Sequence, residues 1–139
     1  FYKLAEKLDK RFQIVLVGLN KKQISDLPYN ILGIERTNSV KELTQIYSAA
    51  DVFVNLTYAD NFPTVNLEAL ACGTPVITYK TGGSAECLAG NNGKYFNKGD
   101  LDSIINFFES EYSPEMFSVN QMDKLDKRIT TQTYLELFE

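Results

Sequence analysis

Five short apolar runs, each of strand length and each set off from the next by helical spacing, constrain this chain more than any other feature. Phe12–Val17 is rich in β-formers and ends at Gly18; Asn30–Gly33, Asp51–Leu56, Pro75–Tyr79 and Tyr95–Phe96 come after it. Short, largely continuous apolar runs are what strands buried on both faces require. Between them lie helical stretches. Residues 1–10 put Phe1, Leu4, Ala5 and Leu8 on one face, and a helical turn precedes Pro28. Ser39 and Glu42 have the spacing of a capping box ahead of Leu43, Ile46, Tyr47 and Ala50. A helix from about Pro63 to Cys72 is stopped by Gly73, and a short one is predicted near Ser84 to Leu88. Asp100 is placed to cap a helix carrying Leu101, Ile104, Ile105, Phe107 and Phe108. Helical content returns between Ser118 and Glu139, with Tyr134, Leu135, Leu137 and Phe138 near its end. Strand and helix in alternation predict βαβ units, hence an α/β fold with a parallel sheet and helices on both faces. Such sheets usually begin with a strand. This chain opens on a helix and reads as a piece of something longer.

The 139 residues suit one domain, and nine Phe and eight Tyr supply a real core. Fourteen basic residues stand against 18 acidic ones, for a net charge of -4 with no basic cluster. That argues against a nucleic-acid partner, because neutralising phosphates takes clustered Lys and Arg. No apolar run approaches the roughly 18 residues of a membrane span. The N-terminal FYKLAEKLDKRF has no signal-peptide h-region. The chain has no His, which excludes from it an imidazole base, a His metal ligand and a Ser-His-Asp triad. Cys72 and Cys87 are in no metal-binding spacing and read as unlinked cytosolic thiols, both more suited to core packing than to reactivity.

In an open parallel sheet, ligands bind where the carboxyl ends of strands meet loops and helix N-termini. Four loops qualify: Gly18 to Lys22, Gly33 to Thr37, Thr57 to Pro63 and Thr81 to Ser84. In the third, Asp60-Asn61-Phe62-Pro63-Thr64 leads directly into a helix, so free N–H groups near Thr64 and Val65 face that edge. Such an end favours a phosphate or another anion. Glu68 lies about one turn further in, where its carboxylate could accept hydrogen bonds from a ribose cis-diol. A solvated Glu at an ordinary helix start fits the same residues. Gly18, Gly33, Gly73, Gly82 and Gly83 also serve as plain turn residues, and none forms GxGxxG or a P-loop.

The stretch Tyr58 to Ile77, YADNFPTVNLEALACGTPVI, followed by Gly82-Gly83-Ser84-Ala85-Glu86, resembles the donor-site region of the family 4 (group 1) glycosyltransferases. The first strand with Gly18, the Ile31-Leu32-Gly33 segment, and Glu42-Leu43 through Ala50-Asp51-Val52-Phe53-Val54 are similar to further segments of that family. The likeness covers about residues 10 to 110. It implies the GT-B fold, two Rossmann-like domains with the active site between them. Residues 1–139 would then be one such half, the C-terminal nucleotide-sugar-binding domain, with the N-terminal acceptor domain absent.

The resemblance also assigns residues. The family's acidic pair falls on Asp60 and Glu68. Glu68 would hold the ribose of the donor. Asp60, standing where most members have Glu, would take the catalytic position facing the donor sugar, with a reach one methylene shorter. Backbone at Asn61, Phe62, Pro63, Thr64 and Val65 would flank the sugar and diphosphate, although Pro63 has no N–H to give. Phe62 reads equally as packing anchor or sugar platform, and Glu86 would lie near the nucleotide edge. Gly18 and Lys22 would complete the donor side. The family's Arg and Lys pair should precede residue 1, leaving Lys21, Lys22 and Arg36 as substitutes that also read as surface charges.

The reaction implied by the resemblance is a retaining transfer, with no metal and no cofactor. It would carry a sugar from a nucleotide-sugar, most commonly UDP-linked, to a saccharide or lipid-linked acceptor. The variant DNFPTVNLEALACGTPVITYKTGG looks like bacterial enzymes of exopolysaccharide or capsule synthesis. A cytoplasmic protein is expected, at the inner face of the membrane when whole, with any peripheral membrane contact coming from the absent half. In the family the acceptor site and an active-site His belong to that half, so this chain alone is expected to bind donor weakly and transfer nothing. Two rivals stand beside this reading: a GT-B nucleotide-sugar epimerase, which the Asp60–Glu68 spacing disfavours, and a non-catalytic nucleotide-binding module.

Overall fold

A computed structural model describes residues 1–119; most of the helical tail expected between Ser118 and Glu139 lies outside the described residues. The elements run α1 (Tyr2–Lys7), β1 (Ile14–Leu19), α2 (Lys21–Ser25), β2 (Ile31–Glu35), α3 (Val40–Ala49) and β3 (Phe53–Asn55). Then come α4 (Thr64–Ala71), β4 (Val76–Tyr79), β5 (Gly93–Phe96), α5 (Leu101–Ser110) and a 3₁₀ turn at Pro114–Met116. Every strand pair is parallel, as the alternation of periods requires. No helix among the described residues is long and apolar enough to cross a membrane.

β4 is the centre of the fold. It lies between β3 and β5, and all four of its residues are buried. Successive side chains alternate between faces, so Ile77 and Tyr79 enter one core and Val76 the other. The first core takes Leu4 from α1 and Ile104, Phe107 and Phe108 from α5. The second takes Tyr47 from α3 and Ala69 and Leu70 from α4. Helices therefore cover both faces of the sheet. Each large side chain so buried contributes about 1.5–3 kcal/mol.

The sheet comes in two parts, β1–β2 and β3–β4–β5, where the apolar runs suggested one. Both parts share the first core, since Phe12 and Ile14 pack against it alongside Val54 and Leu56. Strand composition specifies burial, not which edges meet, so the division is not written in the runs.

Local signals hold with three corrections. Asp100 Oδ1 accepts from Ser103 N, and Gly73 ends α4 with a φ of 82°. At α3 the Ser39 hydroxyl accepts from Glu42 N, but Glu42 reaches back one residue further than a capping box, accepting from Asn38 N. Ser84 to Leu88 is a run of turns, not a helix. There the Ser84 and Cys87 carbonyls are taken by the Asn66 and Asn92 side chains instead of by a helical ladder. Cys72, expected to suit core packing, is only half-buried beside an exposed Ala71; Cys87 is buried, and both thiols are free.

Candidate functional site

β3 ends at Asn55, and the chain leaves it through residues 57–63 to enter α4 at Thr64. Pro63 is the N-cap, with an extended ψ of 108° and no side chain to cap the helix. Asn66 N turns back to Pro63 O, while the N–H groups of Thr64 and Val65, on exposed residues, have no intrahelical partner. Asp60 shapes the loop by accepting from Phe62 N at 3.1 Å, so one carboxylate oxygen is engaged by the loop's own backbone.

The turn after β4 holds this loop from the other side. Gly83 N donates to Asn61 O at 2.8 Å, and Thr81 Oγ1 donates to Thr57 O at 3.1 Å. Gly82 has a φ of 48°, and a Cβ there would overlap the Asp60 carbonyl oxygen. A Cβ on Gly83 would overlap the Asn61 carbonyl and press on the Phe62 ring. The two glycines are thus required by the close approach of two backbones. Phe62 combines packing anchor and open platform, with its ring edge against Gly83 and 44% of its surface open.

Beneath the loops lies a buried carboxamide. Asn66 Oδ1 accepts from Asn55 Nδ2 at 2.8 Å, and its Nδ2 donates to Ser84 O at 3.2 Å and to Cys87 Sγ at 3.6 Å. One fully buried side chain therefore joins the end of β3, the first turn of α4 and the turn after β4. Burial pushes the Cys87 thiol up, keeping it a neutral packing group.

Glu68 stands on the outer side of α4 and is exposed. Its Oε2 accepts from the Tyr47 hydroxyl of α3 at 3.3 Å. Burial, and then the Glu68 carboxylate itself, push the Tyr47 phenol up to about 12. The segment as a whole offers hydrogen-bond donors for an anion at the helix start and, about a turn away, a carboxylate for hydroxyl groups.

The structure gathers Asp60, Asn61, Phe62, Pro63, Thr64, Val65 and Glu68 on one loop and helix. Gly18 and Lys22 belong to the other part of the sheet. Gly18 sits with a φ of 89° at the register shift of β1, and Lys22 is exposed on α2. Among the described residues no hydrogen bond or ion pair joins Gly18, Lys21, Lys22 or Arg36 to the β3–α4 loop. Glu86 is exposed in the turn after β4.

Several residues of this region do not stand out in the sequence. Asn66 has a signal, a polar side chain three and four residues before Ala69 and Leu70 on the face that enters the core. Lys80 directly follows β4 and Lys98 comes two residues after β5; they lie 5.3 Å from the Tyr95 ring and 5.4 Å from the Tyr58 ring. They put cations at the carboxyl edge of the sheet, within range of cation–π attraction. Among the described residues no cluster of three or more acidic or cysteine side chains could hold a metal ion.

The chain aligns with curated enzymes and solved structures over different extents. It is 49% identical over 43 residues, 31% of its length and 10% of the relative's, to the D-inositol 3-phosphate glycosyltransferase of Corynebacterium jeikeium. Along all of its length it is 26% identical to the N,N'-diacetylbacillosaminyl-diphospho-undecaprenol alpha-1,3-N-acetylgalactosaminyltransferase of Campylobacter jejuni, spanning 40% of that enzyme. Anabaena HepE, solved with UDP, superposes with a TM-score of 0.70 at 21% identity, over 99% of this chain and 43% of that one. Sucrose-phosphate synthase from Thermosynechococcus elongatus gives 0.63 at 22% identity, over 91% of this chain and 38% of that one. The chain thus spans well under half of the proteins it matches, and its fold is that of one α/β half of a GT-B enzyme. Residues 1–109 match the family profile described as Glycosyl transferases group 1; the chain belongs to the group 1 glycosyltransferases.

Proposed function

We propose that residues 1–139 form the C-terminal, donor-binding domain of a retaining glycosyltransferase, the acceptor side coming from a second Rossmann-like domain. The observation that carries this reading is the β3–α4 segment, which sets unpartnered N–H groups at Thr64 and Val65 about one helical turn from the Glu68 carboxylate. A nucleotide-sugar needs both features, an anion site for its diphosphate and an acceptor for its ribose hydroxyls. Asp60 faces the donor sugar, and Asn61, Phe62, Pro63, Thr64 and Val65 flank the sugar and diphosphate, with Gly18 and Lys22 on the far side. No cofactor takes part; the nucleotide-sugar is the substrate. Catalysis then rests on positioning and on stabilising the leaving diphosphate by helix N–H groups and cations.

UDP is the favoured nucleotide. Support comes from Anabaena HepE, which was solved with UDP and, separately, with UDP-glucose at a TM-score of 0.67. A saccharide on a lipid diphosphate is the favoured acceptor, in bacterial exopolysaccharide or capsule synthesis at the cytoplasmic face of the membrane. The Campylobacter relative, named for transfer to a diphospho-undecaprenol-linked sugar, supports that choice.

The test is calorimetric titration with UDP, GDP and ADP, for the wild type and Glu68→Ala. One nucleotide is expected to bind, and Glu68→Ala to weaken it by about 1.5–3 kcal/mol, tenfold or more. Equal affinity in both proteins removes the ribose contact. The chain alone is expected to transfer no sugar, because half of the active site lies elsewhere; detectable transfer by residues 1–139 overturns the division of labour.

A further inference from the structure

We propose that Tyr47 is a positioning residue for the nucleotide site: its hydroxyl, delivered from α3, fixes the direction in which the Glu68 carboxylate of α4 meets the ribose. The inference rests on the donor-binding reading of Glu68.

A glutamate on the outside of a helix has three rotatable bonds and many ways to face water. Ordering it on binding costs affinity unless the protein has ordered it beforehand. Among the described residues Glu68 has no cationic partner, and the group that reaches it is the Tyr47 hydroxyl, 3.3 Å from Oε2. That is long for a hydroxyl–carboxylate bond, so Tyr47 steers the carboxylate rather than clamping it.

The tyrosine itself is held firmly. It is 9% exposed, and its ring meets Phe53 of β3 edge to face at 5.4 Å. Its backbone carbonyl accepts from Thr74 Oγ1 at 2.6 Å, and its side chain packs with Ala69, Leu70 and Val76. A rigid donor thus faces a mobile acceptor, and the acceptor is the residue with work to do. The phenol stays protonated at neutral pH, so it is a donor throughout. With Oε2 engaged by Tyr47, Oε1 is left to lead the approach of a ribose hydroxyl. Each carboxylate oxygen can accept more than one hydrogen bond, so Oε2 can still take a second hydroxyl.

The experiment is a double-mutant cycle in the intact protein with Tyr47→Phe and Glu68→Ala. It reads the dissociation constants of UDP and of 2′,3′-dideoxy-UDP, with the melting temperature alongside. Phenylalanine keeps the ring and its packing and removes only the donor. Tyr47→Phe is expected to weaken UDP about threefold to tenfold and to leave the dideoxy analogue unchanged, so the preference for the ribose diol shrinks. In the Glu68→Ala background the same change should add less than twofold. That preference is a ratio of affinities, so a loss of folded protein alone would not move it.

Wild-type UDP affinity in Tyr47→Phe beside a weakened Glu68→Ala overturns the role of Tyr47 and leaves the site where it is. Equal losses for both ligands, or equal losses in both backgrounds, overturn it too, because Tyr47 then acts by another route. Wild-type affinity in Glu68→Ala removes the ribose contact itself and the inference with it.

Discussion

The two parts of the sheet are built from the same kind of strand and finished in opposite ways. From Thr74 to Tyr79 every residue is buried, whereas from Ile14 to Glu35 only Ile31 is. Around β4, polar groups go inside and find partners: Asn66 with Asn55 and Ser84, Thr81 with Thr57, Thr78 with the Asn55 carbonyl. The β1–α2–β2 ribbon keeps its polar groups in water and leaves apolar ones there as well. Val15 and its register partner Leu32 are 41% and 53% exposed, and Val17 on the same face is 37% exposed. The difference teaches where binding geometry can be stored. A loop holds a fixed shape only where its backbone is joined to a second loop and to a satisfied interior.

That contrast can be broken most directly at its glycines. Gly82→Ala should cost about 3 kcal/mol or more in urea unfolding, because the new Cβ collides with backbone at Asp60 that cannot move aside. Gly18→Ala has a comparably unfavourable φ but open space around it, so only the conformational cost of about 1–2 kcal/mol remains. Equal losses would mean that the β4 region is no more tightly built than the ribbon.

Asn66→Ala is expected to lose about 2–3 kcal/mol by the same measurement, since it strands the Asn55 amide and leaves the Ser84 carbonyl with only the weak Cys87 thiol as a donor. A loss below about 1 kcal/mol would show that water reaches those groups.

High pH sharpens the comparison further, through Tyr47. Its folded-state pKa of about 12 lies above the ordinary 10, so the folded state prefers the neutral phenol. The stabilisation is complete below pH 10 and is lost as pH rises from 10 through 12. It amounts to no more than about 2 kcal/mol, and it should vanish from the pH dependence of unfolding in Tyr47→Phe. Burial pushes Tyr79 and Tyr112 up as well, so some loss will persist in that variant. An unchanged profile would separate Tyr47 from the packing around β4.

The smallest effect belongs to the ribbon. Val15→Thr keeps the β-branched shape on an open face and should alter stability by less than about 0.5 kcal/mol in the same unfolding assay. A larger loss would show that the ribbon face is covered in solution.

Much of the fold is legible in the sequence wherever the signal is local. β4 announces itself by five apolar or β-branched residues between Pro75 and Tyr79, α4 by Pro63 and Gly73, and α5 by Asp100. The Asp60–Glu68 block is legible because its residues are neighbours in the chain, and the structure keeps them on one segment. Gly18 and Lys22 come from the order of loops along the chain, which says that loops share an edge without saying that they meet. The division of the sheet, the turns at Ser84–Leu88, and the Tyr47–Glu68 contact depend on groups brought together across the fold. Glu68 and Tyr47 are on different helices, and nothing in either helix alone names its partner.

The hydrogen bond from Gly83 to Asn61 has a mechanical consequence. With it, and with Thr81 bound to Thr57 at the roots, the β3–α4 loop and the turn after β4 are one wall and not two flaps. Neither can swing over a ligand without taking the other along. A substrate entering here meets a surface already in shape, and any closing motion has to come from whatever body approaches this wall from outside.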